Sequence, residues 1–303
     1  MDIYLPVVGV SQSVLVLLVL GGGVGFLSGL FGVGGGWLMT PLLIFVGIPP
    51  SFAVAASANQ LVGSSVTGTL AQWRRGNIDF TMGLVLLAGG LLGSVLGVWV
   101  FAELRRLGQI EIAISFAYIV MLGVLGIFML IESLRAMLFP RPLAQRKLHQ
   151  HNWTHGLPLK MRFRRSKLYI SALVPAGVGF AGGFLSGVLG VGGGFLMVPA
   201  MIYVLDMPTA LVPGTSLFQI IFVAAAVTIQ QAVENGTVDI VLALILLLGG
   251  VVGVQIGLRV GQRLKGEYFR ALLGVLVLAA AVKLAADLTI TPRDLYSLEL
   301  VVP

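Results

Sequence analysis

Phe26 to Pro41 reads FLSGLFGVGGGWLMTP, and Phe184 to Pro199 reads FLSGVLGVGGGFLMVP. Each copy follows a long apolar stretch and sets a G-V-G-G-G break, Gly32–Gly36 and Gly190–Gly194, inside what would otherwise be a membrane-spanning helix. Backbone that leaves the helix inside lipid exposes unpaired N–H and C=O groups, each costing on the order of several kcal/mol. Such breaks persist only where they are buried in protein or line a wet cavity. Paired Gly-interrupted hydrophobic segments at matching positions of two halves mark the binding site of a secondary transporter.

Outward from the breaks, the 303 residues are 57% hydrophobic and 10% charged, with a mean hydropathy of +1.02. Soluble domains carry about 25% charged residues. The apolar runs are continuous and lack the roughly ten-residue alternation of a membrane barrel. The fold class expected is therefore an all-α polytopic membrane protein. The chain has no cysteine, which removes disulfides, thiol nucleophiles and cysteine metal sites. The N-terminus MDIYLP carries no basic n-region, so it is read as part of the mature chain.

Five apolar segments are expected in each half: about 12–32, 36–48, 51–73, 80–102 and 108–132, then 169–189, 194–206, 209–233, 240–262 and 267–288. The second of each set, about thirteen residues or roughly 20 Å of helix, is too short to cross a ~30 Å hydrocarbon core. Gly34 pairs with Gly192, Pro49 with Pro208, Gln60 with Gln219, and Asp79, Gly89, Gly90, Gly93 and Gly97 with Asp239, Gly249, Gly250, Gly253 and Gly257. That register indicates duplication: a first transmembrane repeat at 1–132, a basic cytoplasmic linker at 133–168 and a second repeat at 169–303.

The linker contains Arg135, Arg141, Arg146, Lys147, Lys160, Arg162, Arg164, Arg165 and Lys167. Basic residues crowded beside membrane helices point to topology and anionic lipid rather than to nucleic acid. If each broken pair dips in and returns, three full spans remain per half. Arg74, Arg75, the linker cations and Arg259, Arg263, Lys265 and Arg270 then share the inner face. Only Arg105, Arg106, Lys283 and Arg293 fall outside. A single continuous crossing by the pair would make the halves parallel and distribute these charges less well, so the positive-inside rule favours two inverted-topology repeats, each with a Gly-broken re-entrant or short helix pair plus three full spans. Five spans per half would invert them equally.

The short helix after each break would present unsatisfied N–H groups and a partial positive charge towards the membrane centre, a setting for an anion. Candidate binding residues are Gly34, Gly35, Gly36, Trp37, Gly192, Gly193 and Gly194 at the breaks. Ser57, Asn59, Gln60, Thr215, Ser216 and Gln219 join them from polar positions in apolar helices. The alternative role for these side chains is interhelical glue, and for Gly25-x-x-x-Gly29 and Gly183-x-x-x-Gly187 close helix packing. Asp79 and Asp239 stand at helix N-cap positions. His149, His151 and His155 all lie in the linker, and Ser28-Gly29 and Ser186-Gly187 have no membrane-embedded histidine beside them, so neither an enzyme nor a metal or other cofactor is expected.

The doubled G-x-G-G-G-x-x-x-x-P phrase at Gly32–Pro41 and Gly190–Pro199, the T/S-rich segments after it and the R-G-N-I-D stretch at Arg75–Asp79 resemble the TauE/SafE sulfite-exporter family. The likeness covers about 10–290. It implies export of small sulfur-containing anions such as sulfite, sulfoacetate or related organosulfonates. The second copy departs in having Leu217 and Phe218 where the first has Ala58 and Asn59, so unequal half-sites are expected. The expected partners are a small anionic substrate and the lipid bilayer, with a homodimer among the permitted assemblies. The expected setting is the cell inner membrane, with one half rocking against the other. A passive anion channel and a non-transporting scaffold are the alternative readings.

Overall fold

The computed structural model describes residues 2–31, 34–138, 158–261 and 266–289. A short hairpin, β1 (Asp2–Leu5) and β2 (Val10–Ser13), leads into α1 (Val14–Phe31), the short α2 (Gly36–Phe45), α3 (Pro50–Arg74), α4 (Phe80–Arg106) and α5 (Ile110–Leu138). The second half repeats the order: β3 (Lys160–Phe163), β4 (Leu168–Ser171), α6 (Leu173–Leu189), α7 (Gly194–Tyr203), α8 (Val212–Gln230), α9 (Ile240–Val260) and α10 (Gly266–Thr289). A π-helical turn at Gln231–Asn235 extends α8.

Among the described residues, four helices are long and apolar enough to span a membrane: Phe80–Arg106, Ile110–Ile131, Val212–Asn235 and Ile240–Val260. Helix α3 runs 25 residues but is diluted by Ser, Thr, Asn and Gln. Its buried positions lie on several sides, as expected of a helix enclosed by other helices.

The hairpins correct the sequence reading. Residues 160–168, assigned to the linker, form most of the second hairpin and match residues 2–10 of the first. The linker's beginning, 133–138, continues α5. The strands are only four residues long, below the length at which alternation announces itself. The three histidines and Arg141, Arg146 and Lys147 lie outside the described residues, as do Arg263, Lys265 and Arg293.

Each hairpin is held by the aspartate that caps a helix of the other half. Asp79 Oδ1 accepts from Met82 N at 3.1 Å, and its Oδ2 accepts from Ser166 N at 3.0 Å and Ser166 Oγ at 2.6 Å. Asp239 Oδ1 accepts from Val241 N and Leu242 N, and its Oδ2 accepts from Val7 N at 2.9 Å. Leu5 and Phe163, at matching positions, are fully buried.

Glycine sets the helix packing. Helix α1 lies on α9 through Gly21 against Leu246, Gly25 against Gly250 and Gly29 against Val254, a register that runs parallel. Helix α6 lies on α4 in the same sense, through Gly179 against Leu86, Gly183 against Gly90 and Gly187 against Ser94. With no Cβ between them the backbones touch, maximising dispersion contacts. The closest packing thus joins helices from different halves. Helix α8 crosses α3 in the opposite sense to its chain direction: Gly68 meets Leu217, Leu61 meets Ile220, and Ala58 clusters with Val223 and Val227.

From Ser115 and from Glu267, respectively, α5 and α10 form a compact unit of their own. They run antiparallel, with Gly126 against Leu278 and Gly274 against Leu130.

Candidate functional site

The four glycines Gly34, Gly190, Gly192 and Gly193 have φ of +74°, +67°, +71° and +67°. L side chains are strained there, which is why this sequence places glycine at the breaks. Gly190 ends α6 by donating its N–H to Ser186 O. Neither Gly35, which precedes α2, nor Gly193, which precedes α7, supplies a side-chain cap, so the leading N–H groups of both short helices lack one.

After its break the chain turns back along the helix it has just left. Gly35 packs against Val24, and Gln12 Nε2 of β2, two residues before α1, donates to Val46 O just beyond α2 at 2.8 Å. The short helix therefore returns towards the end from which α1 began, starting about half-way along it. The second half matches: a Cβ at Gly193 would stand 2.7 Å from Gly182 O on α6.

The two breaks lie against each other. A Cβ at Gly36 would stand 2.8 Å from Gly190 O, and Gly34 and Gly192 both abut Leu61 of α3 and Ile220 of α8. Thr40 of α2 reaches across, its Oγ1 3.4 Å from Leu189 O and 2.8 Å from Ser57 Oγ. Ser57 in turn donates to Ala53 O at 2.7 Å.

Around this junction lie buried polar atoms without hydrogen-bond partners: Ser28 Oγ and Ser186 Oγ, and both side-chain polar atoms of Gln60 and of Gln219. These are two repeat-related pairs. Ser28 lies one turn beyond Val24 on the same face of α1, and Ser186 one turn beyond Gly182 on α6. Gln60 and Gln219 are fully buried and immediately precede Leu61 and Ile220. Their amides lie over Gly250 and Gly90, with Nε2 2.5 Å and 2.6 Å from where a Cβ would stand. Ser65 Oγ and Thr69 Oγ1, further along α3, are also without partners. Leaving a buried polar group unpaired costs about 1–3 kcal/mol, and native proteins keep few. Matched groups in both halves thus keep hydrogen-bonding capacity that the protein itself does not use.

The structure divides the remaining sequence candidates. Trp37 and Gly194 are buried at the starts of α2 and α7, and Asn59 is half-buried on α3. Thr215 Oγ1 donates to Leu211 O and accepts from Asp79 N, which makes it a tie for the α3–α4 turn. Ser216 Oγ donates to Pro213 O at 3.1 Å. Phe218 packs edge-on against Phe80 and Phe222, and Leu217 covers Gly68. Sequence reading weighed Ser28 and Ser186 only as nucleophiles. Their signal was visible: two serines, each four residues before a break, on otherwise apolar helices.

A family model described as sulfite exporter TauE/SafE matches residues 17–284. The chain is 31% identical over 274 residues to the probable membrane transporter protein YjnA of Bacillus subtilis, covering 88% of this chain and 98% of that one. It is 30% identical over 277 residues to a probable membrane transporter protein of Xylella fastidiosa, covering 89% and 94%. A probable membrane transporter protein of Methanocaldococcus jannaschii is 25% identical over 270 residues, covering 85% and 90%. No solved structure matches. With the family model covering most of the chain, and four apolar spans among the described helices, the protein is a multi-pass membrane transporter that belongs to the sulfite exporter TauE/SafE family.

Proposed function

We propose that the protein exports small sulfur-containing anions (sulfite, sulfoacetate or other organosulfonates) across the inner membrane by alternating access. The observation that carries the reading is the paired set of buried orphan groups, Ser28/Ser186 and Gln60/Gln219, beside two glycine breaks in contact. Hydroxyls and amide N–H groups donate to sulfonate oxygens without adding fixed charge. The uncapped starts of α2 and α7 add partial positive charge. A neutral donor set releases an anion more readily than a buried arginine pair would.

The direction of packing supports an inverted repeat. Helices α3 and α8 cross antiparallel, α5 and α10 likewise, and each α1–α2 or α6–α7 pair returns towards its own side. This supports re-entrant broken pairs, with the β3–β4 hairpin and its arginines and lysines on the cytoplasmic face. The two breaks then meet half-way through the membrane.

The packing also changes what moves. Because α1 is pressed on α9 and α6 on α4, the sequence halves do not separate as bodies. The rocking units are α1–α2 with α9, and α6–α7 with α4, sliding over the central α3–α8 crossing.

Flux of sulfite and of sulfoacetate into proteoliposomes tests the site. Gln60→Met and Gln219→Met keep the volume and remove the amide. The expected loss is at least tenfold in the double variant. Unchanged flux at equal protein content would contradict the assignment.

A further inference from the structure

The β3–β4 hairpin is amphipathic across its two faces. Met161, Phe163, Leu168 and Ile170 share one face, where Phe163 is buried and Leu168 and Ile170 pack against the core. Arg162 and Tyr169 pair across the other face, and with Arg164, Lys167 and Leu168 they line an open concavity of about 720 Å³. No Asp or Glu occurs between Pro158 and Ser171, and the carboxylate bonded to the hairpin, Asp79, is taken up by the N–H and hydroxyl of Ser166.

The hairpin is fixed from beneath. Arg165 donates to the carbonyl oxygens of Gly76 and Ile78, and Ser166 is bonded to Asp79. Arg162, Arg164 and Lys167 therefore project from a set backbone. Lys167 holds φ at +54°, and its repeat-mate in the first hairpin is Gly9 at +79°. A lysine in the left-handed region, where the sister turn uses glycine, is strain retained for a side chain. The sister hairpin has Tyr4, Pro6 and Gly9 where this one has Arg162, Arg164 and Lys167, and no cation at all.

Exposed Tyr169 lies among these cations and exposed Leu159 just precedes the hairpin, ahead of α6. Apolar and aromatic side chains beside clustered arginines fit the level of lipid headgroups, where the phosphate is reached by cations and the acyl boundary by apolar groups.

We propose that the concavity formed by Arg162, Arg164, Lys167 and Tyr169 binds the phosphate-bearing headgroup of an anionic phospholipid on the cytoplasmic leaflet. This site is separate from the transport site and rests on the inverted arrangement only for its side of the membrane. The sister hairpin, facing the other leaflet, lacks it.

The test is thermal unfolding of the purified full chain in neutral detergent, titrated with phosphatidylglycerol, phosphatidylcholine or inorganic phosphate. The comparison variant is Arg162→Gln/Arg164→Gln/Lys167→Gly. Lys167→Gly alone checks folding, since relieving the positive φ should leave the lipid-free Tm equal or higher. The expected result is a rise in Tm with phosphatidylglycerol alone, reduced at least twofold in the triple variant. A full rise in the triple variant overturns the proposal, as does an equal rise with phosphatidylcholine. An equal rise with inorganic phosphate overturns the lipid assignment in favour of a small-anion site.

Discussion

At the scale of single residues, glycines and orphan polar groups answer to different forces, and substitutions separate them. Gly183 and Gly253 sit on the backbone of a neighbouring helix, so Gly183→Ala or Gly253→Ala forces two helices apart and should cost about 1–3 kcal/mol or more, read as a lower Tm. Gly23 and Gly177 have nothing within 4 Å of a Cβ. Alanine at either should be tolerated within about 1 kcal/mol. The orphans should behave in the opposite way. Ser28→Ala with Ser186→Ala removes two unpaired buried hydroxyls, so Tm should hold or rise by the equivalent of about 1 kcal/mol per site while anion flux falls. A variant that is both less stable and fully active would reverse the assignment.

At the scale of elements, each N-cap aspartate serves two structures with its two oxygens. Asp79→Ala removes the α4 cap and strips the β3–β4 hairpin of its anchor, and it should cost about 2–4 kcal/mol. Ser166→Ala, which keeps the cap and the backbone bond, should cost about 1 kcal/mol. Thermal unfolding in detergent distinguishes the two. Elements also show what could be read from the chain alone. The ten helices among the described residues were legible because long apolar runs end at Asp79, Asp239, Pro50 and the glycine breaks, all with a local mechanism. The hairpins were not, since four-residue strands carry no periodicity and their anchor is an aspartate from the other half of the chain. The same limit explains Thr215. A hydroxyl on an apolar helix reads as a ligand until Asp79 N is seen bonded to it. Gln60 and Gln219 were legible through their repeat register, but their lack of partners belongs to the folded state.

At the scale of the molecule, α1 packs on α9 and α6 on α4, and the proposed mechanism takes these two pairs as the units that move. Spin labels on exposed sites can follow them. Val19 of α1 and Val252 of α9 are exposed on one proposed moving unit, whereas Leu92 of α4, in the same sequence half as Val19, is exposed on the other. Adding sulfoacetate to reconstituted protein should leave the Val19–Val252 distance distribution unchanged and shift the Val19–Leu92 one. The opposite pattern would restore rocking of one half against the other. The account as a whole depends on the glycine junction being a place that small aqueous anions reach. The chain has no cysteine, so Ser28→Cys and Ser186→Cys each introduce a single thiol beside a break. In proteoliposomes, a small anionic thiol reagent should modify both, and sulfoacetate should slow that modification at least severalfold. Thiols that stay unmodified from either side of the membrane, or that react at the same rate with and without sulfoacetate, would contradict an anion site at the meeting of the two breaks.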